Sequence, residues 1–254
     1  MRVSVELIPR SEQAFATQLD DLAELPGVDT VNVPDLVRFD LRSWEACARA
    51  RARGLRAIPH LRATDVDPDG PLPFLDAVDR AGIDEVLVVH GDPPVDMSRP
   101  VFDTDAVALL RRLRSERPDL TTYAALDPYR QGFRAELAYA ARKLDAGASG
   151  LFTQPFFDLR LAEVWSDLLV ELPTRVFWGA TSVASERSRR YWTGRNRVVL
   201  PRGFEATEAY ASRFAADLAA FARARGDDVY FMPIRVPASR YLSAVPDAVG
   251  DEAA

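Results

Sequence analysis

Glu6 is the residue whose type and position point most directly to catalysis. It belongs to a short apolar segment at 3–8 in which side chains alternate, so that Ser4 and Glu6 share one face and Val3 and Val5 the other. The apolar face has to pack against helices, which places Glu6 on the opposite, inner face. A carboxyl group held partly away from water has a raised pKa and suits a general acid. The alternative is that Glu6 forms a structural ion pair with an arginine.

Other polar residues follow the predicted strands. They are His60, His90, Asp92, Asp127, Gln154, Thr181, Ser182 and Arg235. Asp92 lies in a Gly-Asp-Pro-Pro turn, where it either caps the turn or binds a ligand. His60 and His90 are either hydrogen-bonded core residues or parts of a site.

Gln154 is more informative, because a side-chain amide both donates and accepts hydrogen bonds and therefore suits the edge of a heterocycle. Phe156 and Phe157 follow it and offer a stacking surface. Packing in the core is the alternative for these two rings, and we expect it for at least one of them.

The composition excludes several kinds of chemistry. Cys47 is the only cysteine, so there is no intramolecular disulfide and no thiolate metal site. Lys143, the only lysine, falls in a helical pattern, which disfavours Schiff-base catalysis on a strand. With only two histidines, a histidine-rich metal centre is not expected, so we predict no metal.

Charge and hydropathy favour an ordinary cytoplasmic protein. The formal net charge of −6 gives no basis for binding nucleic acid or an anionic membrane. No apolar run is long enough to span a bilayer, and the carboxylate at Glu6 interrupts the stretch where a signal peptide would need apolar residues.

Eight apolar or β-branched segments alternate with amphipathic helical segments. The predicted strands are 3–8, 30–33, 56–60, 85–90, 121–126, 150–153, 175–180 and 229–234, and the predicted helices are 12–25, 43–53, 73–81, 104–116, 133–146, 159–172, 185–191 and 207–225. This order predicts an α/β protein with a single (β/α)8 TIM barrel over 1–246 and a disordered tail at 247–254. An open doubly wound sheet is disfavoured because no G-x-G-x-x-G sequence follows any strand.

Four segments resemble the methylenetetrahydrofolate reductase family. Val-Glu-Leu-Ile-Pro-Arg at 5–10 is similar to its first-strand motif, and His-Gly-Asp-Pro-Pro at 90–94 to its Arg-Gly-Asp-x-Pro loop. Ile-Pro-His-Leu at 58–61 resembles its Pro-His-Leu element. The segment 143–158, which ends in Thr-Gln-Pro-Phe-Phe-Asp, is similar to its most distinctive block.

The resemblance implies the same barrel and the reduction of 5,10-methylenetetrahydrofolate to 5-methyltetrahydrofolate, within one-carbon metabolism and methionine biosynthesis. By this match Glu6 is the acid that protonates N10 of the folate. Asp92 and Gln154 hydrogen-bond the pterin, and Phe156 or Phe157 stacks nearby.

The resemblance also suggests contacts for the rest of the folate and for the hydride donor. Bidentate partners for the carboxylates of the folate tail are Arg235 or Arg240. Residues assigned to the hydride donor are His60, His90, Asp127 and Tyr129.

Departures from the family pattern concern the cofactor. Most members carry FAD and have a Tyr-Pro-Glu-x-His-Pro type segment after the fifth strand, where this chain has Leu-Asp-Pro-Tyr-Arg-Gln at 126–131. His90 replaces the arginine of the Arg-Gly-Asp loop. These features resemble the small flavin-independent branch, in which NADH or NADPH reduces the folate directly. Arg142 and Lys143 point the other way, because they resemble a basic pair near the flavin phosphate in flavin-containing relatives.

Several alternatives stay open. The chain is either flavin-independent, as we expect, or an FAD-dependent member of the same family; a non-catalytic folate-binding barrel is a third reading. The sequence does not decide between NADH, NADPH and a deazaflavin as hydride donor. Oligomeric state is also open, and exposed barrel helices are compatible with a homo-oligomer.

Overall fold

Eight parallel strands close into a barrel in a computed structural model of the chain, which describes residues 1–92, 99–172 and 174–249. The strands are β1 (Val3–Glu6), β2 (Thr30–Val33), β3 (Arg56–Arg62), β4 (Glu85–Val89), β5 (Thr121–Leu126), β6 (Gly150–Thr153), β7 (Arg175–Thr181) and β8 (Asp228–Met232). Each pairs with the next in sequence order, and β8 pairs with β1. The predicted (β/α)8 barrel is therefore confirmed.

Helices connect the strands on the outside. They are α1 (Glu12–Leu22), α2 (Ser43–Arg51), α3 (Leu75–Arg80), α4 (Ala106–Glu116), α5 (Phe133–Asp145), α6 (Leu159–Leu169), α7 (Glu186–Arg195), α8 (Glu208–Arg225), α9 (Ala238–Tyr241) and α10 (Pro246–Val249), with a 3-10 turn at Ala63–Asp65. Ser11 caps α1, as expected, by accepting a hydrogen bond from the amide of Ala14 at 3.2 Å.

Two apolar layers follow from the strand alternation. Val3 and Val5 belong to the large core between the strands and the helices. On the inner face, Ser4 is fully buried and Phe152 stacks on Phe177 with ring centroids 4.1 Å apart. Because successive strand residues face opposite sides, the same alternation that packs Val5 outward directs Glu6 inward.

The amino-terminal end of the barrel is filled by an ionic cluster. The guanidinium of Arg2 binds both carboxylate oxygens of Glu85, at 2.7 and 2.8 Å, and the hydroxyl of Tyr123 donates to the same carboxylate at 3.0 Å. These side chains lie below the aromatic layer of Phe152 and Phe177. The open end of the barrel is therefore the carboxyl-terminal one, where a site is expected in this fold.

The expected disorder of the tail does not hold for residues 247–249. They belong to α10, in which Ala248 is fully buried, and the amide of Gly27 donates to the carbonyl of Ala248 at 2.9 Å. This packing against a distant loop is what orders the segment. Residues 250–254 lie outside the described residues. Across the described ranges, no helix combines the length and apolar character needed to cross a membrane.

Candidate active site

A cavity of about 180 Å³ opens at the carboxyl ends of the strands. Its polar lining comes from several strands of the barrel. The residues concerned are Glu6, Asn32, His60, Thr153, Gln154 and Tyr230. Apolar side chains of β4, β5, β6 and β8, together with Pro34 after β2, complete the wall. Three residues predicted from the sequence, Glu6, His60 and Gln154, are thus brought together in one place.

Glu6 ends β1 and its side chain lines the cavity. Removal from water disfavours the carboxylate and raises the pKa of Glu6 to about 8, against the smaller, opposite effect of a hydrogen bond from Asn32. No ion pair involving Glu6 occurs among the described residues, so the structural alternative for this side chain is not supported. At neutral pH, Glu6 therefore carries a proton that it can donate.

Asn32 is a site residue that the sequence analysis missed. It is fully buried on β2, and its Nδ2 lies 3.2 Å from Oε2 of Glu6 and 3.2 Å from Nε2 of His60. Its Oδ1 accepts a hydrogen bond from the hydroxyl of Ser4 at 2.7 Å. The available signal was the alternation Thr-Val-Asn-Val in β2, which places Asn32 on the inner face beside Glu6.

His60 lies on β3 with its ring buried against Asn32. Burial lowers the pKa of His60 to about 3, although the charge of Asp35 acts in the opposite direction. The hydroxyl of Ser43 donates to the backbone carbonyl of His60 at 2.8 Å and fixes this part of the strand. His60 is therefore neutral at physiological pH and can accept a hydrogen bond at Nε2.

Tyr230 lines the cavity from β8, the strand that pairs with β1. Its hydroxyl donates to the carbonyl of Thr153, and burial raises the pKa of Tyr230 well above its ordinary value. The ring crosses directly over Gly179, where an added Cβ would lie 2.4 Å from Cε1 of the ring. A glycine is needed at this point of β7 because any larger residue would displace the Tyr230 ring.

Gln154 lies directly after β6 and is partly buried at the cavity wall. Its backbone amide donates to the carbonyl of Leu126 at 2.7 Å, which extends the pairing of β5 and β6 by one residue. Gln154 therefore contributes to the cavity a side chain that can both donate and accept hydrogen bonds.

Asp92 and His90 are placed at the turn after β4 but do not line the cavity. The Asp92 side chain is 85% exposed and lies 3.6 Å from the guanidinium of Arg195. Its carbonyl accepts a hydrogen bond from Arg62 at 2.5 Å, which holds the turn. His90 is exposed. The two prolines that follow Asp92 lie outside the described residues.

Asp127 and Tyr129, predicted to contact the hydride donor, lie beside the cavity without lining it. The carboxylate of Asp127 accepts the backbone N–H of Tyr129 at 2.9 Å, and burial raises the pKa of Asp127. The Tyr129 hydroxyl donates to the carbonyl of Pro155 at 3.0 Å. Asp127 thus fixes the loop after β5 internally, and Tyr129 holds this loop against the loop after β6.

The predicted stacking role of Phe156 and Phe157 is not supported. Phe156 is fully buried between strand and helix, with its ring centroid 5.5 Å from that of Trp178. Phe157 is buried in a separate apolar cluster and lies 5.5 Å from Trp192. Neither ring lines the cavity: Phe156 packs in the core between strands and helices, and Phe157 packs with α7 and the segments that follow β7.

The two arginines proposed for the folate tail also lie away from the cavity. Arg240 on α9 makes a bidentate ion pair with Glu208 of α8, with two N–O distances of 2.8 Å. Arg235 follows β8 in a left-handed conformation with φ of 62°, and its side chain is exposed. Arg240 therefore forms a contact between α8 and α9. No local sequence pattern indicates this contact.

Lys143 is buried in a polar cluster under the end of β5. Its ammonium group donates to the carbonyl of Ala125 and lies 3.9 Å from the carboxylate of Glu136 and 3.9 Å from the centre of the Tyr139 ring. Burial lowers the pKa of Lys143 to about 8. Glu136 also accepts hydrogen bonds from Arg130 at 2.9 Å and Gln131 at 2.8 Å. The ammonium group of Lys143 and the carboxylate of Glu136 are therefore both bound by neighbouring groups of this cluster.

Solved structures of similar shape show the barrel fold and nothing finer. The 2,3-dimethylmalate lyase of the PEP mutase/isocitrate lyase superfamily aligns with a TM-score of 0.57 at 14% identity, over 92% of this chain and 75% of that one. The 3-hexulose-6-phosphate synthase from Salmonella typhimurium aligns with a TM-score of 0.53 at 15% identity, over 98% of this chain and 99% of that one.

Sequence comparison gives a more specific relationship. Curated proteins named 5,10-methylenetetrahydrofolate reductase match at 32% identity over 107 residues in Escherichia coli K12 and in Shigella flexneri, and at 31% in Salmonella typhimurium LT2. These matches cover 42% of this chain but only 36% of the length of each of those proteins. The family model described as methylenetetrahydrofolate reductase matches residues 24–172, which is more than half of the chain. The chain belongs to the methylenetetrahydrofolate reductase family.

Proposed function

We propose that the protein reduces 5,10-methylenetetrahydrofolate to 5-methyltetrahydrofolate with a hydride taken directly from NADH or NADPH, and that Glu6 is the general acid. The observation that carries this proposal is a carboxyl group at the barrel mouth whose pKa is raised by burial to about 8. A protonated acid is what opening of the folate five-membered ring needs at neutral pH. Family membership supplies the substrate class.

The proposed reaction begins with proton transfer from Glu6 to N10 of the folate, which breaks the bond between N10 and the methylene carbon. The electrons of N5 form the new double bond, so that a cationic iminium is left at N5. Glu6 is then a carboxylate close to that cation and stabilises it, while Asn32 continues to donate to Oε2. The reduced nicotinamide supplies the hydride that converts the methylene carbon into a methyl group. Water returns a proton to Glu6.

Cavity size indicates how the folate is placed. About 180 Å³ is well below the roughly 300 Å³ at which pockets begin to enclose a whole drug-sized ligand. The cavity therefore takes the pterin ring and the reacting carbon, and the rest of the folate lies across the mouth. Gln154 donates to and accepts from the pterin edge. Asp92, which is exposed on the loop after β4, joins it from outside the cavity.

The contacts of the two basic residues that resemble a flavin phosphate site support the proposal that no flavin takes part. The cation of Lys143, one of the basic pair that resembles a flavin phosphate site, is buried and bound to Ala125 and Glu136 instead of facing a ligand. The guanidinium of Arg142 lies 5.1 Å from the centre of the Tyr139 ring, on the same aromatic side chain that covers Lys143. These contacts favour direct hydride transfer over the FAD-dependent alternative.

The absorbance spectrum of the purified protein, combined with a reductase assay, tests the proposal. We expect a colourless preparation that oxidises NADH or NADPH only when methylenetetrahydrofolate is added. A stoichiometric flavin spectrum would establish the FAD-dependent alternative. A colourless protein that binds folate without oxidising either nicotinamide would identify a non-catalytic barrel. If a reduced deazaflavin restores turnover to such a protein, the hydride donor is a deazaflavin instead.

A further inference from the structure

Asn32 connects the proposed acid to a buried hydrogen-bond chain. Its amide nitrogen contacts Glu6 and His60, both at 3.2 Å, and its amide oxygen accepts from Ser4 at 2.7 Å. Asn32 is fully buried, as is Ser4 on the adjacent strand. In the observed orientation Oδ1 faces the hydroxyl of Ser4, and Nδ2 faces one acceptor on Glu6 and one on His60.

The orientation of the amide determines which oxygen of Glu6 is available for chemistry. Ser4 donates to Oδ1, so Nδ2 must face Glu6 and His60. One N–H points to Oε2 of Glu6 and the other to Nε2 of His60, which is neutral and therefore an acceptor with its proton on Nδ1. Oε2 of Glu6 is thus used as an acceptor, and the transferable proton resides on Oε1.

We propose that Asn32 is a positioning residue for Glu6: it fixes Oε2 against β2 and leaves Oε1 to carry the proton to the substrate, with Ser4 setting the orientation of the Asn32 amide. This inference rests on the proposed role of Glu6 as the acid. Asn32 itself takes part in no bond that is made or broken.

The other ionisable groups around Glu6 are few. His60 reaches it from β3 through Asn32, and Tyr230 faces it from β8. Asp127 and Tyr129, after β5, act on Tyr230. The donor hydrogen bond to Glu6 comes from Asn32 and favours the ionised form, so its loss should move the Glu6 titration to higher pH.

The test is the titration of the Glu6 carboxyl in the ligand-free protein, followed by NMR of carboxyl-labelled glutamate, with Glu6→Gln to assign the signal. In Asn32→Leu, which keeps the side-chain volume but removes the donor, we expect the midpoint to rise by on the order of 0.5–1 pH unit. Ser4→Ala should also raise the midpoint of the Glu6 titration, but by a smaller amount. Ser43→Ala, which removes a buried hydrogen bond to the carbonyl of His60, is the matched control and should not shift it.

An unchanged Glu6 midpoint in folded Asn32→Leu would overturn the proposal. If that variant does not fold, an unchanged Glu6 midpoint in Ser4→Ala would overturn it instead. In the reductase assay, the pH at which turnover falls on the alkaline side should move with the NMR midpoint. If the titrations shift as expected but the wild-type protein shows no folate-dependent oxidation, the positioning role stands and the proposed function fails.

Discussion

Glu6 and His60 share one hydrogen-bond donor: Nδ2 of Asn32 lies 3.2 Å from Oε2 of the first and 3.2 Å from Nε2 of the second. Burial shifts their pKa values in opposite directions, to about 8 for Glu6 and about 3 for His60. Both groups are consequently neutral around pH 7. Proton donation by Glu6 is then the event that introduces charge into the cavity, next to a substrate that becomes cationic.

Replacing the acid should abolish most turnover without loss of binding. We expect Glu6→Gln to lower kcat by about 100-fold or more, because the amide keeps the shape but cannot donate an acidic proton. The folate dissociation constant, measured by calorimetry, should change by less than about 3-fold, which is under 1 kcal/mol. Glu12→Gln, which alters an exposed partner of Arg49, is the control. Turnover like that of the wild type in Glu6→Gln would remove Glu6 from the mechanism.

The raised pKa of Glu6 also predicts a pH dependence of stability. The folded protein keeps its proton up to about pH 8, whereas the unfolded chain releases it near 4.5. The free energy of unfolding therefore decreases as pH rises between these values, and the loss is complete above about pH 8. Glu6→Gln removes this effect, so its melting temperature should exceed that of the wild type by about 10–20 °C at pH 9 and by little at pH 5.

His60 acts in the opposite sense, since its lowered pKa reduces stability as pH falls below 6.5. It is present in both proteins and cancels from the comparison. Equal differences in melting temperature at pH 5 and pH 9 would contradict a raised pKa for Glu6.

Gln154 and Arg240 should differ in their effect on folate binding. Gln154 lines the cavity, so Gln154→Ala should raise the folate KM by about 10-fold, the cost of one hydrogen-bonded polar contact. Arg240 is held by Glu208, so Arg240→Ala should leave the KM within about 2-fold and lower stability by no more than about 1 kcal/mol. Steady-state kinetics with both variants checks this, and a large KM effect at Arg240 would restore its predicted role in binding the folate tail.

Gly179 should tolerate no side chain. An alanine Cβ there would lie 2.4 Å from the Tyr230 ring, so we expect Gly179→Ala to destabilise the protein by about 1–3 kcal/mol and to distort the cavity wall. Gly194→Ala is the matched control, because no atom lies within 4 Å of the added Cβ and the position is in α7. That variant should be stabilised by about 0.5–1 kcal/mol. Chemical denaturation distinguishes the two outcomes.

Strand periodicity was sufficient to predict the barrel and the inward direction of Glu6, because both depend on local alternation. Asn32 has the same periodicity but was overlooked, since its role depends on Ser4, Glu6 and His60 from two other strands. The sequence could show that Gln154 follows a strand, and the structure places it at the cavity.

Contacts between distant segments could not be predicted. Phe156 and Phe157 have the right chemistry for stacking, but after β6 the first packs in the core between strands and helices and the second in a separate apolar cluster. The pairing of Arg240 with Glu208 joins two helices and leaves no local pattern. Residues 247–249 were predicted to be part of a disordered tail, yet they pack against the loop at Gly27.

The ionic cluster of Arg2, Glu85 and Tyr123 has a consequence for the order of events during turnover. Because the cluster fills the amino-terminal end of the barrel, the cavity is closed at that end. Every molecule that enters must therefore leave through the same carboxyl-terminal opening. Whichever of the two reactants binds deeper must arrive first and depart last. If the pterin occupies the bottom of the cavity and the nicotinamide lies above it, initial-rate and product-inhibition kinetics should show an ordered ternary complex. The oxidised nicotinamide should then be released before the methylated folate.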